Sequence, residues 1–170
     1  MRIAYVSLSG RGANDAFLTS VAMQLDAEGL RLAGTVQSNF ERSDRDHCDM
    51  HIHVLPKGPV FAISQDRGAH AQGCRLDAGA LEEAAMAVSG TLHEAQLLIV
   101  NKFGKQEAEG RGLTPVIAEA AEMGLAILIG VNGMNLPAFR AFAGAMAVEL
   151  PPDAMSVLNW CKSNVDEIAA

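Results

Sequence analysis

Short, almost unbroken apolar runs at residues 3–8, 97–100 and 125–131 constrain this chain more than any other feature. A strand that is apolar on both sides must be covered on both sides, which is the habit of parallel sheets flanked by helices. Residues 30–37 read as a further strand. The segments between them switch to helical spacing: Leu18, Val21, Ala22 and Leu25 share a face, as do Leu81, Ala85, Val88 and Leu92, and Val116, Ile117, Ala120 and Ala121. Gly29 and Gly124 stop two of these helices. Residues 136–150 read as one helix with Phe139, Phe142 and Met146 inward, broken by Pro151-Pro152. Leu158, Cys161, Val165 and Ile168 mark a last helix over about 153–168. The expected fold is α/β: three layers around a mostly parallel sheet, in a single domain spanning residues 1–170.

The middle of the chain departs from this rhythm. Residues 38–49 are polar and read as an exposed loop. Residues 50–55 alternate with period 2, Pro56-Lys57-Gly58-Pro59 signals a turn, and residues 60–63 return as a short strand. This predicts a β-hairpin over about 49–64, inserted into the α/β pattern, with a polar loop at 64–73.

Composition excludes several classes of function. Thirteen Lys and Arg face 20 Asp and Glu, for a net charge of −7, and the chain holds one Trp and one Tyr. Neither the phosphate-seeking charge nor the stacking platforms of a nucleic-acid binder are present. No run approaches the ~18 apolar residues of a membrane span. The apolar start at residues 3–6 is too short for a signal peptide, so a cytoplasmic location is expected. Cys48, Cys74 and Cys161 form no CxxC and no zinc spacing, which favours free thiols; Cys161 sits on an apolar helical stripe.

Ligands in open α/β sheets bind beyond the carboxyl ends of the strands. Residues 7–15, 37–39, 101–111 and 132–135 follow such ends. In the first, Gly10-Arg11-Gly12-Ala13-Asn14 enters a helix, where backbone N–H groups can hold an anion. It lacks the lysine and hydroxyl of a phosphate loop, and Asp15 offers its own carboxylate to the helix dipole. In the third, Asn101, Lys102, Lys105, Glu107, Glu109 and Arg111 crowd a glycine-punctuated stretch. Lys102 lies nearest the strand end, where an anionic group fits, and Glu107 or Glu109 could bind a metal or orient Arg111. Cys48, His51, His53 and Cys74 are candidate metal ligands, with His51 and His53 on one strand face. Their spacing matches no standard site, and a histidine-bearing hairpin explains them as well.

The stretch Asn101-Lys102-Phe103-Gly104-Lys105-Gln106-Glu107, with Gly10-Arg11-Gly12, Cys48-Asp49-Met50, Gly73-Cys74-Arg75-Leu76 and Asn135-Leu136-Pro137, resembles a family of uncharacterised bacterial proteins. That family is related to the small P-loop nucleoside-triphosphatases and is often encoded near molybdenum or nitrogenase genes. The resemblance covers roughly residues 1–150. It implies a P-loop-NTPase-like fold whose nucleotide site is degenerate, since Asn101-Lys102 stands where an acidic pair holds magnesium and orients water. The expected ligand is an anion or nucleotide held without efficient hydrolysis, with no firm role for Mg²⁺. The expected partner is that small anionic ligand, and neither nucleic acid nor membrane. Two other readings stay open: an active NTPase or nucleotide kinase with a rearranged site using Lys102 and Glu107 or Glu109, and a regulatory or scaffold protein acting through the hairpin. A homo-oligomer or a protein partner also stays open.

Overall fold

In the computed structural model, which describes residues 2–41, 43, 48–65 and 75–166, strands and helices alternate. They are β1 (Arg2–Val6), α1 (Ala13–Ala27), β2 (Leu32–Phe40), β3 (Asp49–Val54), β4 (Val60–Ala62), α2 (Ala78–Ser89), β5 (Leu97–Phe103), α3 (Lys105–Ala108), α4 (Thr114–Glu122), β6 (Ala126–Val131), α5 (Leu136–Ala143), β7 (Ala147–Glu149) and α6 (Ala154–Asp166). All seven strands lie in one sheet, in the order β4-β3-β2-β5-β6-β1-β7. Pairing is parallel from β2 through β7, with Leu32 opposite Leu97, Ile99 opposite Leu128 and Ile3 opposite Ile127. The β3–β4 hairpin is antiparallel and forms one edge. This is the α/β fold class expected, and it is consistent with a P-loop-NTPase-like architecture.

The apolar runs work as their patterning requires. Along each central strand, alternate residues face opposite layers. Ala4, Val6, Leu32, Leu97, Ile99 and Leu128 meet α1 and α6. Ile3, Tyr5, Ala33, Leu98, Val100 and Ile127 meet α2, α4 and α5. Cys161 of α6 is fully buried in the first layer, and burial pushes its thiol up to about 12.

Three expectations about local structure need correction. Residues 38–40 are strand, not loop. Their polar side chains ride on an antiparallel ladder that pairs Ser38 with His51 and Phe40 with Asp49, so backbone pairing overrides composition. Residues 101–103 continue β5, with Asn101 and Phe103 buried and Lys102 exposed, and α3 forms one helical turn within the stretch expected to be loop. Residues 136–150 are not one helix. Gly144, at φ +56°, leaves the helical region after α5, and β7 then pairs with β1. Phe139 is buried as expected. Phe142 and Met146 are 39% and 47% exposed, although the Phe142 ring still lies 5.4 Å from that of Phe103.

Candidate functional site

The four segments that follow strand ends come together at one end of the sheet. The turn between β1 and α1 holds Gly10 and Gly12 at φ 109° and 71°, in the left-handed region that glycine enters without strain. Asn14, just inside α1, turns back so that its Oδ1 accepts the Leu8 N–H at 2.9 Å. The turn is therefore braced from within, and its cap residue Gly12 supplies no side-chain bond.

Asp15 is the hub of the site. Its Oδ1 accepts a hydrogen bond from Asn101 Nδ2 at 2.7 Å, and its Oδ2 accepts from Asn39 Nδ2 at 2.6 Å and from Gln37 Nε2 at 3.4 Å. Asn101 Oδ1 accepts the Gln37 backbone N–H at 3.1 Å. That N–H can only donate, which fixes the Asn101 oxygen toward β2 and its amide nitrogen toward Asp15. One neutral side chain thus ties α1, β2 and β5 together. Gly130 in β6 lets the β5 backbone come close beneath the bridge: a Cβ there would lie 2.3 Å from the Asn101 backbone carbonyl oxygen and 2.7 Å from Leu18 Cδ1.

Two cavities flank this hub. The loop-side crevice, about 550 Å³, is bounded by Arg11, Gly12, Asp15, Asn39, Glu41, Cys48 and Lys102. The other, about 310 Å³, opens toward the α2–α4 layer and takes in Thr35, Asn101, Lys102, Lys105 and Glu107. Gln37, Met50, Arg75 and Lys102 line both. Of the residues singled out from sequence, Arg11, Gly12, Asn101, Lys102 and Lys105 are brought to these cavities. Gly10, Ala13 and Asn14 shape the turn without lining either. Arg111 lines neither; it is exposed and pairs with Glu109, whose other oxygen lies 4.0 Å from Lys105 Nζ.

Glu107 is a support for the backbone. It is 4% exposed; its Oε2 accepts the Gly104 N–H at 2.9 Å and its Oε1 accepts the Leu113 N–H at 3.1 Å. Gly112 lies against it at φ +59°, where a Cβ would sit 2.3 Å from Oε1. Burial raises the Glu107 pKa, opposed by the two N–H donors and by the Lys102 charge. A carboxyl whose folded pKa is raised binds its proton more tightly when folded. Its contribution is therefore present below the ordinary value near 4.5 and is lost as pH rises through the folded value. Glu107→Gln removes this dependence. The variant should gain stability relative to the parent as pH rises from about 4.5 toward 7, read as urea midpoints at several pH values. Parallel pH profiles would contradict the assignment.

Among the described residues, the candidate metal ligands do not converge. His53 shares a 2.7 Å hydrogen bond with Ser38 Oγ, and the His51 ring lies 5.0 Å from that of Phe40, tilted by 57°. Cys48 is a half-buried thiol at the loop-side crevice. Cys74 lies outside the described residues. Among the described residues, no group of three His, Cys, Asp or Glu side chains could hold a metal ion. No described helix is long and apolar enough to cross a membrane.

Sequence reasoning places Arg75 only in a family motif and residues 37–39 only at a strand end; it misses the burial of Arg75, Asp15 as the hub, and the Gln37 and Asn39 side chains as its partners. Arg75 is 8% exposed; its Nε donates to the Gln65 carbonyl at 3.1 Å, while Nη1 and Nη2 have no partner among the described residues. A basic residue between two loops gives no sequence signal of burial.

Residues 3–160 match a family described as a protein of unknown function, DUF2478. A molybdenum import ATP-binding protein, ModC 2 of Bradyrhizobium diazoefficiens, is 31% identical over 160 residues, covering 94% of this chain and 18% of that protein. The chain thus spans less than a fifth of that relative's length. No solved structure matches significantly.

Proposed function

The chain belongs to the DUF2478 family, and on that premise we propose that it is a P-loop-NTPase-like binding domain that holds an oxyanion or a nucleotide without efficient hydrolysis. The observation that carries this reading is the neutral Asn101 bridge. Every polar atom of its side chain is committed to Asp15 and Gln37, at the strand end where a hydrolase needs a carboxylate for magnesium. Asp15, the nearest acid, is itself held by three amides. Glu107 and Glu109 are committed to backbone N–H groups and to basic side chains. Gly12 is followed by Ala13-Asn14 where a phosphate loop carries lysine and a hydroxyl.

At the loop-side crevice the basic side chains Arg11, Arg75 and Lys102 face two acids, Asp15, whose carboxylate is held by amides, and Glu41. The balance is basic, in a chain whose net charge is −7. Such a pocket suits a compact anion, and cations concentrated in a cleft of an acidic protein raise the local anion concentration. The name of the relative ties that protein to molybdenum import, which makes molybdate the first oxyanion to test.

Titration calorimetry with molybdate, tungstate, sulfate, phosphate and ATP, beside phosphate release from Mg-ATP and Mg-GTP, checks the reading. Binding of at least one anion is expected, with phosphate release at background. Lys102→Ala should weaken that binding about tenfold, the loss of one charge-assisted contact. Sustained magnesium-dependent release would refute the reading, as would an affinity indifferent to Lys102.

A further inference from the structure

The smaller cavity carries a site of its own. Among the described residues, two polar groups of its wall have no partner. Thr35 is fully buried and its Oγ1 has no hydrogen bond there; Arg75 is 8% exposed and neither Nη1 nor Nη2 has one. Buried polar groups are ordinarily satisfied, and an unpaired buried guanidinium is among the costlier exceptions. Both side chains line the same cavity of about 310 Å³. Its remaining wall is largely apolar: Ile52 and Ile63 from the hairpin side, Leu81 from α2 and Leu113 before α4.

The charges around it favour an anion. Lys102 and Lys105 stand at the rim with Arg75 inside, against one carboxylate, Glu107, whose two oxygens already accept the Gly104 and Leu113 N–H groups. The walls exclude a bare inorganic ion as the natural occupant, since it would leave apolar surface wet.

We propose that this cavity, which adjoins the loop-side crevice across Gln37, Met50, Arg75 and Lys102, binds an organic monocarboxylate, with the carboxylate on the Arg75 guanidinium and Thr35 hydroxyl and an apolar body against Ile52, Ile63, Leu81 and Leu113. The planar two-nitrogen edge of Arg75 matches a carboxylate in paired hydrogen bonds. The apolar body supplies the area that a small anion lacks. The site stands whether or not the loop-side crevice takes an oxyanion.

The test uses the full chain and phenylacetate as probe, with acetate and phenylacetamide as controls. Phenylacetate should bind and raise the Tm, and acetate and phenylacetamide should bind at least tenfold more weakly. Thr35→Val removes an unpaired polar group and should leave the unliganded Tm unchanged or higher, while phenylacetate affinity falls several-fold. Arg75→Met removes two unpaired nitrogens together with the Nε bond to the Gln65 carbonyl, so its unliganded Tm should fall by at most a few degrees, while phenylacetate affinity falls at least tenfold. The proposal fails if neither phenylacetate nor its longer homologue 4-phenylbutyrate binds the parent protein. It fails equally if acetate binds as tightly as phenylacetate, because the apolar wall then contributes nothing. If Arg75→Met does not fold, Thr35→Val decides: an unchanged phenylacetate affinity in that variant overturns the assignment.

Discussion

Truncating Phe139 to alanine should cost about 4 kcal/mol, in the upper range for buried aromatic side chains. Phe139 has no exposed surface and is held by two rings: Tyr5 at 5.0 Å and tilted by 59°, and Phe103 at 5.2 Å and near edge-on at 74°. Truncation removes the largest fully buried side chain of α5, leaves a cavity beneath β1 and β5, and forfeits both ring contacts, each worth roughly 0.5–1.5 kcal/mol beyond area. The damage should extend to the edge of the sheet. Tyr5 Oη donates to Glu149 Oε2 at 2.8 Å, and Arg140 of α5 reaches both, so the same ring steadies the docking of β7. Urea unfolding should show a lower midpoint with little change in slope, and thermal unfolding a fall of roughly 8–16 °C at the usual 2–4 °C per kcal/mol for chains of this size. A loss under about 1 kcal/mol would mean that α5 does not close over the sheet as described.

The second large effect is electrostatic. Asn101→Asp keeps the shape of the bridge and its acceptor for the Gln37 N–H, but turns the donor facing Asp15 into a second carboxylate oxygen 2.7 Å away. Two carboxylates at that distance cannot both ionise without penalty; one proton is then shared and the upper pKa of the pair rises. Because that raised value belongs to the folded state only, the penalty is smallest below the ordinary carboxylate range and grows as pH rises through it. At pH 7 we expect a loss of roughly 2–4 kcal/mol, Asp15 being half-buried and so partly screened. Most of this should return near pH 4. Magnesium should restore part of it at pH 7, since paired carboxylates are a hard-cation site and the asparagine is not. A variant as stable as the parent at pH 7, with no magnesium response, would show that Asn101 and Asp15 do not meet.

The two substitutions separate what was legible in the residues from what was not. The layer around Phe139 followed from apolar periodicity, because a side chain with no polar atoms has few places to go once strands and helices alternate. The helix after it was overextended, because Phe142 and Met146 continue its spacing while the single Gly144 ends it. The site was legible only in part. Asn101 and Lys102 stood out as charged and polar residues at the end of an apolar run. The partnership of Asn101 with Asp15 spans 86 positions, and nothing local distinguishes an aspartate that caps a helix from one that anchors three amides.

The sequence by itself determined the alternation of strand and helix, the hairpin at residues 49–64 and the absence of a phosphate-loop lysine, because periodicity, turn residues and missing side chains are local properties. The tertiary structure decides the strand order, the burial of the Arg75 guanidinium tip and the Thr35 hydroxyl without partners among the described residues, and the commitment of Asn101 and Glu107 to the protein's own groups. These depend on which distant surfaces meet. Burial changes the energy of a charge or a hydrogen bond far more than it changes the identity of the residue that carries it.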